Sequence, residues 1–164
     1  MHETERDLRA LQSILDHSHK HAGAHLRSVV RDKKPMSASD VVATLRGVFV
    51  LHLATVSSKN RPVVAPIDGM LFRGRLLFSV VGGAVRARHL RRWPYVSATY
   101  TEGNRICIIA HGKALEVDST VGEVRSFLEE MYGAETLRAY SKPGFAAFVE
   151  PSFMVAYGVS LAVA

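Results

Sequence analysis

The sequence predicts a mainly β, α+β fold: an antiparallel barrel or sandwich with helices outside it. Three observations carry this reading. From Val48 onward, short apolar runs rich in β-branched residues follow one another at strand length. The breaks between them, "SSKN", "RGR" and "EGN", are hairpin-like. No strand–helix–strand alternation appears, so a Rossmann-type nucleotide site is not expected, and "GGAV" lacks the spacing of that fingerprint.

The elements follow in order. Residues 4 to 30 carry Leu8, Leu11, Leu15, Ala22, Leu26 and Val29 at spacings that make one stripe of an amphipathic helix. "RDKKPMSASD" breaks the pattern with charge, Pro35 and small polar residues, so residues 1–36 read as an N-terminal helical segment. Residues 37–164 read as the barrel, and the chain as a single domain overall. Ser37 or Ser39 caps a second helix, "DVVATLRG", which Gly47 stops.

"VFVLHLATVSS", "RPVVAPIDGMLF" and "LLFSVV" are strands, and "AVRARHLRRW" is a helical insert. "YVSATYT" and "RICIIAHGKALEV" make a further hairpin. "DSTVGEVRSFLEEMYGAETLRAYSK" reads as helix, capped by Asp118 or Ser119, with Val121, Val124, Phe127, Leu128 and Met131 as its apolar face. Pro143 and Gly144 interrupt, and "SFMVAYGVSLAVA" is the last strand.

The 164 residues suffice to bury a core without staples. Lys plus Arg number 21 against 15 for Asp plus Glu, a net charge of +6 that suits an anionic partner. Cys107 is the one cysteine, which rules out a disulfide framework within the chain and fits a small core residue in a reducing compartment. "MHETERDLRA" is no secretory signal, and no apolar stretch reaches the ~18 residues of a membrane span, so a cytoplasmic protein is expected.

The charge concentrates in "GGAVRARHLRRWPYVS", residues 82 to 97. On a helix turning ~100° per residue, Arg88, Arg91 and Arg92 share one face and read as solvated. Arg86 points the other way, toward the side of Leu90 and Trp93, and lies in the first turn, where the helix dipole disfavours a cation. An anion there reverses the argument. Gly82 and Gly83 allow close backbone approach, first-turn N–H groups donate, and Arg86 adds a charge-assisted bond; phosphate is the natural candidate.

Taken together, "LATV" at Leu53 to Val56, Arg61-Pro62, "LLFS" at Leu76 to Ser79, the basic helix from Arg86 to Ser97 and Gly112 resemble the pyridoxamine 5′-phosphate oxidase-like family of FMN- and deazaflavin-binding proteins. The match spans roughly residues 45 to 118. The resemblance implies an antiparallel split β-barrel with flanking helices, working as a homodimer with the cofactor in a groove between subunits. It implies a phosphate contact at Arg86, a further basic contact at Arg61, and a ring lying along Val64, Ala65 and Pro66. Ser79 and Val80 stand where members carry hydroxyl side chains; Gly83 and Arg91 complete the expected cofactor set. The chain departs from oxidase members at Ala84-Val85, where they have Ser-Arg, and the residues that recognise pyridoxal phosphate have no clear match. Surplus arginine suits the deazaflavin coenzyme F-420, whose tail is anionic, but leaves FMN open.

His17, His21 and His25 line one side of the first helix but lack the further ligands of a closed metal site, and no metal is expected. His52 and His111 read as structural strand histidines, while Asp68 either faces the ring or ends its strand. The function expected is an oxidoreductase passing hydride from FMN or deazaflavin to a small organic acceptor. The alternatives are a non-catalytic flavin or haem binder on the same barrel, or an anion- or nucleic-acid-binding protein. The last is disfavoured, because the arginine run is interleaved with a single aromatic residue, Trp93.

Overall fold

The computed structural model describes residues 2–30, 33–81, 83–139 and 144–158. Its strands are β1 (Lys34–Pro35), β2 (Phe49–Val56), β3 (Pro62–Phe72), β4 (Arg75–Val80), β5 (Tyr95–Glu102), β6 (Ile106–Val117) and β7 (Phe145–Gly158). The helices are α1 (Glu5–His21), α2 (Ala24–Val29), α3 (Ala38–Thr44), α4 (Val85–Arg92), α5 (Gly122–Tyr132) and α6 (Ala134–Ala139). Six strands close an antiparallel barrel in the order β7-β4-β3-β2-β5-β6, with β6 returning to β7, and β1 adds to β7.

Alternation sets which side of each strand faces in. On β2, Leu51, Leu53 and Thr55 are buried while Val50 and His52 are exposed. Arg73 and Gly74, both at positive φ (54° and 70°), make the two-residue turn that joins β3 to β4 with the twist such hairpins need. Inside, Leu51, Leu53, Phe78, Val96 and Ile108 pack with Ala87 and Leu90, so α4 belongs to the main core.

β3 and β4 then part company. β3 pairs with β2 from Pro62 to Gly69, but with β4 only from Gly69 to Phe72. Past Phe78, Ser79 and Val80 continue only the pairing with β7 that β4 makes from Leu77 to Val80 on its other edge. Over the joined portion, Met70, Phe72 and Leu77 face outward and are covered by Phe127 and Leu128 of α5. Each large apolar side chain buried there contributes about 1.5–3 kcal/mol.

The free edge of β7 beyond β4 is occupied by α1. Ser18, buried, accepts the Met154 N–H at 2.9 Å, and His19 Nε2 accepts the Ala156 N–H at 3.3 Å. These side chains take the place of a neighbouring strand and meet the demand of buried backbone donors for partners.

Several expectations are corrected. The stripe over residues 4–30 forms two helices, because the chain turns extended at Ala22 (ψ 135°) and Gly23 (ψ 155°). Neither Asp118 nor Ser119 caps α5: Asp118 accepts instead from Thr120, Gly122 sits at φ 70°, and the helix starts after Val121. Val121 is therefore exposed rather than on the apolar face, and Gly133 at φ 84° divides α5 from α6. β7 begins at Phe145, well before Ser152, and runs through Pro151 at a bulge opposite His111 and Gly112. The expected last strand beyond Gly158, as well as Gly82 and Pro143, lies outside the described residues. Of the two candidate caps for α3, Ser37 serves, in a reciprocal box with Asp40. Cys107 is half-buried, and burial pushes its thiol pKa up, away from thiolate chemistry. No helix among the described residues is long and apolar enough to cross a membrane.

Candidate functional site

Where β3 and β4 part, a cavity of about 550 Å³ opens between the outer sheet surface and the α5–α6 roof. β3 lends Ile67 and Asp68, the end of β4 lends Ser79, Val80 and Val81, and α4 lends Ala84 and Arg86. The roof lends Arg125, Leu128, Tyr132 and Leu137, and the connections before α5 and β7 add Ser119, Thr120 and Gly144.

Arg86 is held there because its neighbours Ala87 and Leu90 are anchored in the core. Its Nε is buried and has no hydrogen-bond partner among the described residues. An unmet buried donor costs roughly 1–3 kcal/mol, more when charged. The helix start beside it carries no side-chain cap, since its N-cap is Ala84, and Gly83 precedes it at φ 83°. An orphaned cationic donor next to an uncapped first turn fits an anion, and a phosphate group would satisfy both.

The opposite wall is a hydroxyl and carboxylate set. The Tyr132 hydroxyl donates to Asp68 Oδ2 at 3.1 Å and lies 3.5 Å from Ser79 Oγ. Alternation along β3 puts Val64, Pro66 and Asp68 on one face, so an apolar strip leads from the cavity onto the open sheet. Val64 is 66% exposed, and Val50 of β2, which pairs with Asp68, is 55% exposed.

Of the residues expected from sequence, Ser79, Val80 and Arg86 line the cavity together. Gly83 lies two residues past Val81 and one before Ala84, next to that wall. Val64 and Pro66 stand on the adjoining strip, whereas Ala65 is half-buried and pairs with Leu53. Arg61 is exposed in the β2–β3 turn, its N–H donating to Ser57 Oγ at 3.1 Å, and does not line the cavity. Arg91 is turned to another surface. Its Nε donates to Glu116 Oε2 at 2.9 Å, its guanidinium lies 5.4 Å from the Phe145 ring centre, and the hydrogen bonding holds the Glu116 carboxyl below its usual range.

Sequence reasoning missed Arg125 and Tyr132. With Leu128 they are spaced three and four apart, one stripe of α5 beside its apolar face, and that spacing was the available signal. His111 is exposed, bonded through Nδ1 to Ser97 Oγ at 2.8 Å and stacked on Phe153. The His17 and His21 rings lie 4.3 Å apart, tilted by 33°, while His25 lies beyond the helix break; among the described residues no group of three potential metal ligands forms.

No family model matches the chain, and no curated protein matches it. Solved structures do. The conserved hypothetical protein Rv2991 of Mycobacterium tuberculosis superposes with a TM-score of 0.63 at 16% identity, over 76% of this chain and 86% of that one. An F-420 reductase gives 0.56 at 18% identity, over 68% and 93%. HutZ, the haem storage protein of Vibrio cholerae, gives 0.56 at 18% identity, over 66% and 85%. The fold is a split β-barrel. At these identities the likeness is one of architecture, and the divergence of β3 from β4 is the split in this chain.

Proposed function

We infer that this split barrel binds a phosphorylated flavin, FMN or the deazaflavin coenzyme F-420, and serves as an oxidoreductase that passes hydride to a small organic acceptor. The observation that carries the reading is the orphaned Nε of Arg86 in a cavity that opens onto the Val64–Pro66 strip. One end answers a phosphate, and the strip offers an apolar bed to a planar ring. An F-420 reductase among proteins of the same fold supports the class of ligand.

The bound flavin would supply the hydride chemistry, so a catalytic triad is not required of the protein. Arg86 and the first-turn N–H groups of α4 hold the phosphate, and Ser79 offers a hydroxyl beside them. Val64 and Pro66 carry the ring, with Ala65 contributing backbone. Arg61 adds charge from the neighbouring turn, and Arg91 would have to leave Glu116 to take part. The exposed face bearing Val50, His52, Val64 and Pro66 is suited to covering by a second copy, which would enclose the ring and exclude water. The reading is therefore of a homodimer, and a single cysteine suits a reducing compartment such as the cytoplasm.

The test is titration of the purified protein with FMN and, separately, with F-420, followed by fluorescence quenching. Saturable micromolar binding of one supports the reading; absence of both overturns it. Consumption of the reduced cofactor in the presence of an acceptor panel then separates an enzyme from a non-catalytic binder; HutZ, a haem storage protein, has a similar fold.

A further inference from the structure

We propose that the roof supplies a second anion contact, Arg125, and that the site takes a ligand with a phosphate dianion or diphosphate gripped between roof and barrel. The proposal rests on the anion-binding reading of Arg86 and extends it to a residue on a separate element.

Arg125 lines the same cavity as Arg86, and its side chain is only 27% exposed. Its ion-pair partner among the described residues is Glu129, one turn along the same helix, with Nε to Oε1 at 2.7 Å. Glu129 does not line the cavity. The pair therefore ties the guanidinium to its own helix and, among the described residues, to nothing in the barrel. Such i,i+4 pairs are weak and easily exchanged.

The carboxylate that does line the cavity, Asp68, already accepts from the Tyr132 hydroxyl. Two guanidiniums thus reach one partly buried space from α4 and from α5, and among the described residues a single carboxylate lines it. Both side chains are cationic, and a ligand of charge near −2 answers both where a neutral one would not. Guanidinium groups present forked donors that match phosphate oxygens, and two of them on different walls favour a dianion with acceptor oxygens for both over chloride, which has no such fork to meet. Tyr132 follows Arg125 by seven residues, two turns along one face, and its bond to Asp68 fixes the roof with Arg125 over the cavity. Glu129 then acts as a placeholder that the ligand displaces.

The experiment is calorimetric titration of the full chain with inorganic pyrophosphate, with melting temperatures recorded for each variant. Wild type is expected to bind saturably. Arg125→Gln should weaken binding about fivefold or more with little change in melting temperature, as should Arg86→Ala, because each removes one charged fork. Glu129→Gln frees Arg125 and should tighten binding. The proposal is overturned if wild type does not bind, if Arg125→Gln binds like wild type, or if Glu129→Gln weakens binding as much as Arg125→Gln. If Arg86→Ala alone weakens binding, the barrel contact stands and the roof contact falls. If pyrophosphate discriminates the variants as expected while neither FMN nor F-420 binds, the clamp stands and the flavin reading falls.

Discussion

The hydroxyl of Tyr132 donates to Asp68 Oδ2 at 3.1 Å, joining the last residue of α5 to β3 across the mouth of the cavity. The two residues are 64 positions apart in the chain. The bond turns the β6–β7 connection into a roof, because it closes the gap left where the β3–β4 pairing ends. Leu128, deeper along the same stripe, packs in the apolar cluster beneath α5 and sets the height of that roof.

Tyr132→Phe retains the ring and removes the bond. A loss of about 1 kcal/mol of stability is expected, in the range for a single hydrogen bond. Flavin affinity should drop several-fold, since the wall opposite Arg86 is no longer fixed. Urea unfolding and fluorescence titration measure the two effects; unchanged affinity would mean that the roof does not contribute to binding.

Arg86→Ala is expected to separate stability from function. It removes a buried donor that has no partner among the described residues, so melting temperature should hold or rise. Cofactor binding should weaken by about tenfold or more, the loss of one charge-assisted contact. A variant that binds flavin like wild type, or that loses affinity only in proportion to unfolding, would remove Arg86 from the phosphate site.

Gly112→Ala should be severely destabilising. A Cβ at Gly112 would stand 2.8 Å from the Glu150 carbonyl carbon and 2.9 Å from Pro151 Cα, both backbone atoms of the bulged pairing. Backbone cannot retreat as a side chain can, so a cost of about 3 kcal/mol or more is expected. Thermal unfolding of the soluble fraction checks it, and a melting temperature near wild type would show that the bulge can shift register.

His19 should make stability depend on pH. Burial holds its imidazole below the usual range, and neutral Nε2 accepts the Ala156 N–H. The unfolded state then binds the proton more readily than the folded one. Its contribution is fully present above the unfolded value of about 6.5 and declines as pH falls toward the folded value. Between about pH 7 and pH 5, the urea midpoint of wild type should decline more steeply than that of His19→Gln. Parallel pH curves would assign the dependence to other groups.

Much of the barrel could be read from local pattern. The alternation in β2, the turn at Arg73-Gly74 and the apolar runs of β5 and β6 involve neighbours in the chain, where side-chain period and turn chemistry act directly. Errors fell where a distant contact or a backbone turn overrode the pattern. Gly122 and the Asp118–Thr120 turn delayed α5, and pairing with β6 and β4 carried β7 back to Phe145 despite Pro151. One clue to the roof was present: "GMLF", Gly69 to Phe72, is apolar without alternation, as befits a strand segment covered on both faces.

By itself, the sequence determined the strand and helix types, the excess of positive charge, and the placement of Arg86 on the buried side of the first turn of α4. Those follow from period, composition and the ~100° step of a helix, all local quantities. Tertiary structure decided which charges converge. It tied Arg91 to Glu116 on another surface and brought Arg125, Tyr132 and Asp68 to the cavity that Arg86 enters. Nothing in local spacing encodes that meeting, because it depends on β4 leaving β3 and on the connection after β6 folding back over the gap.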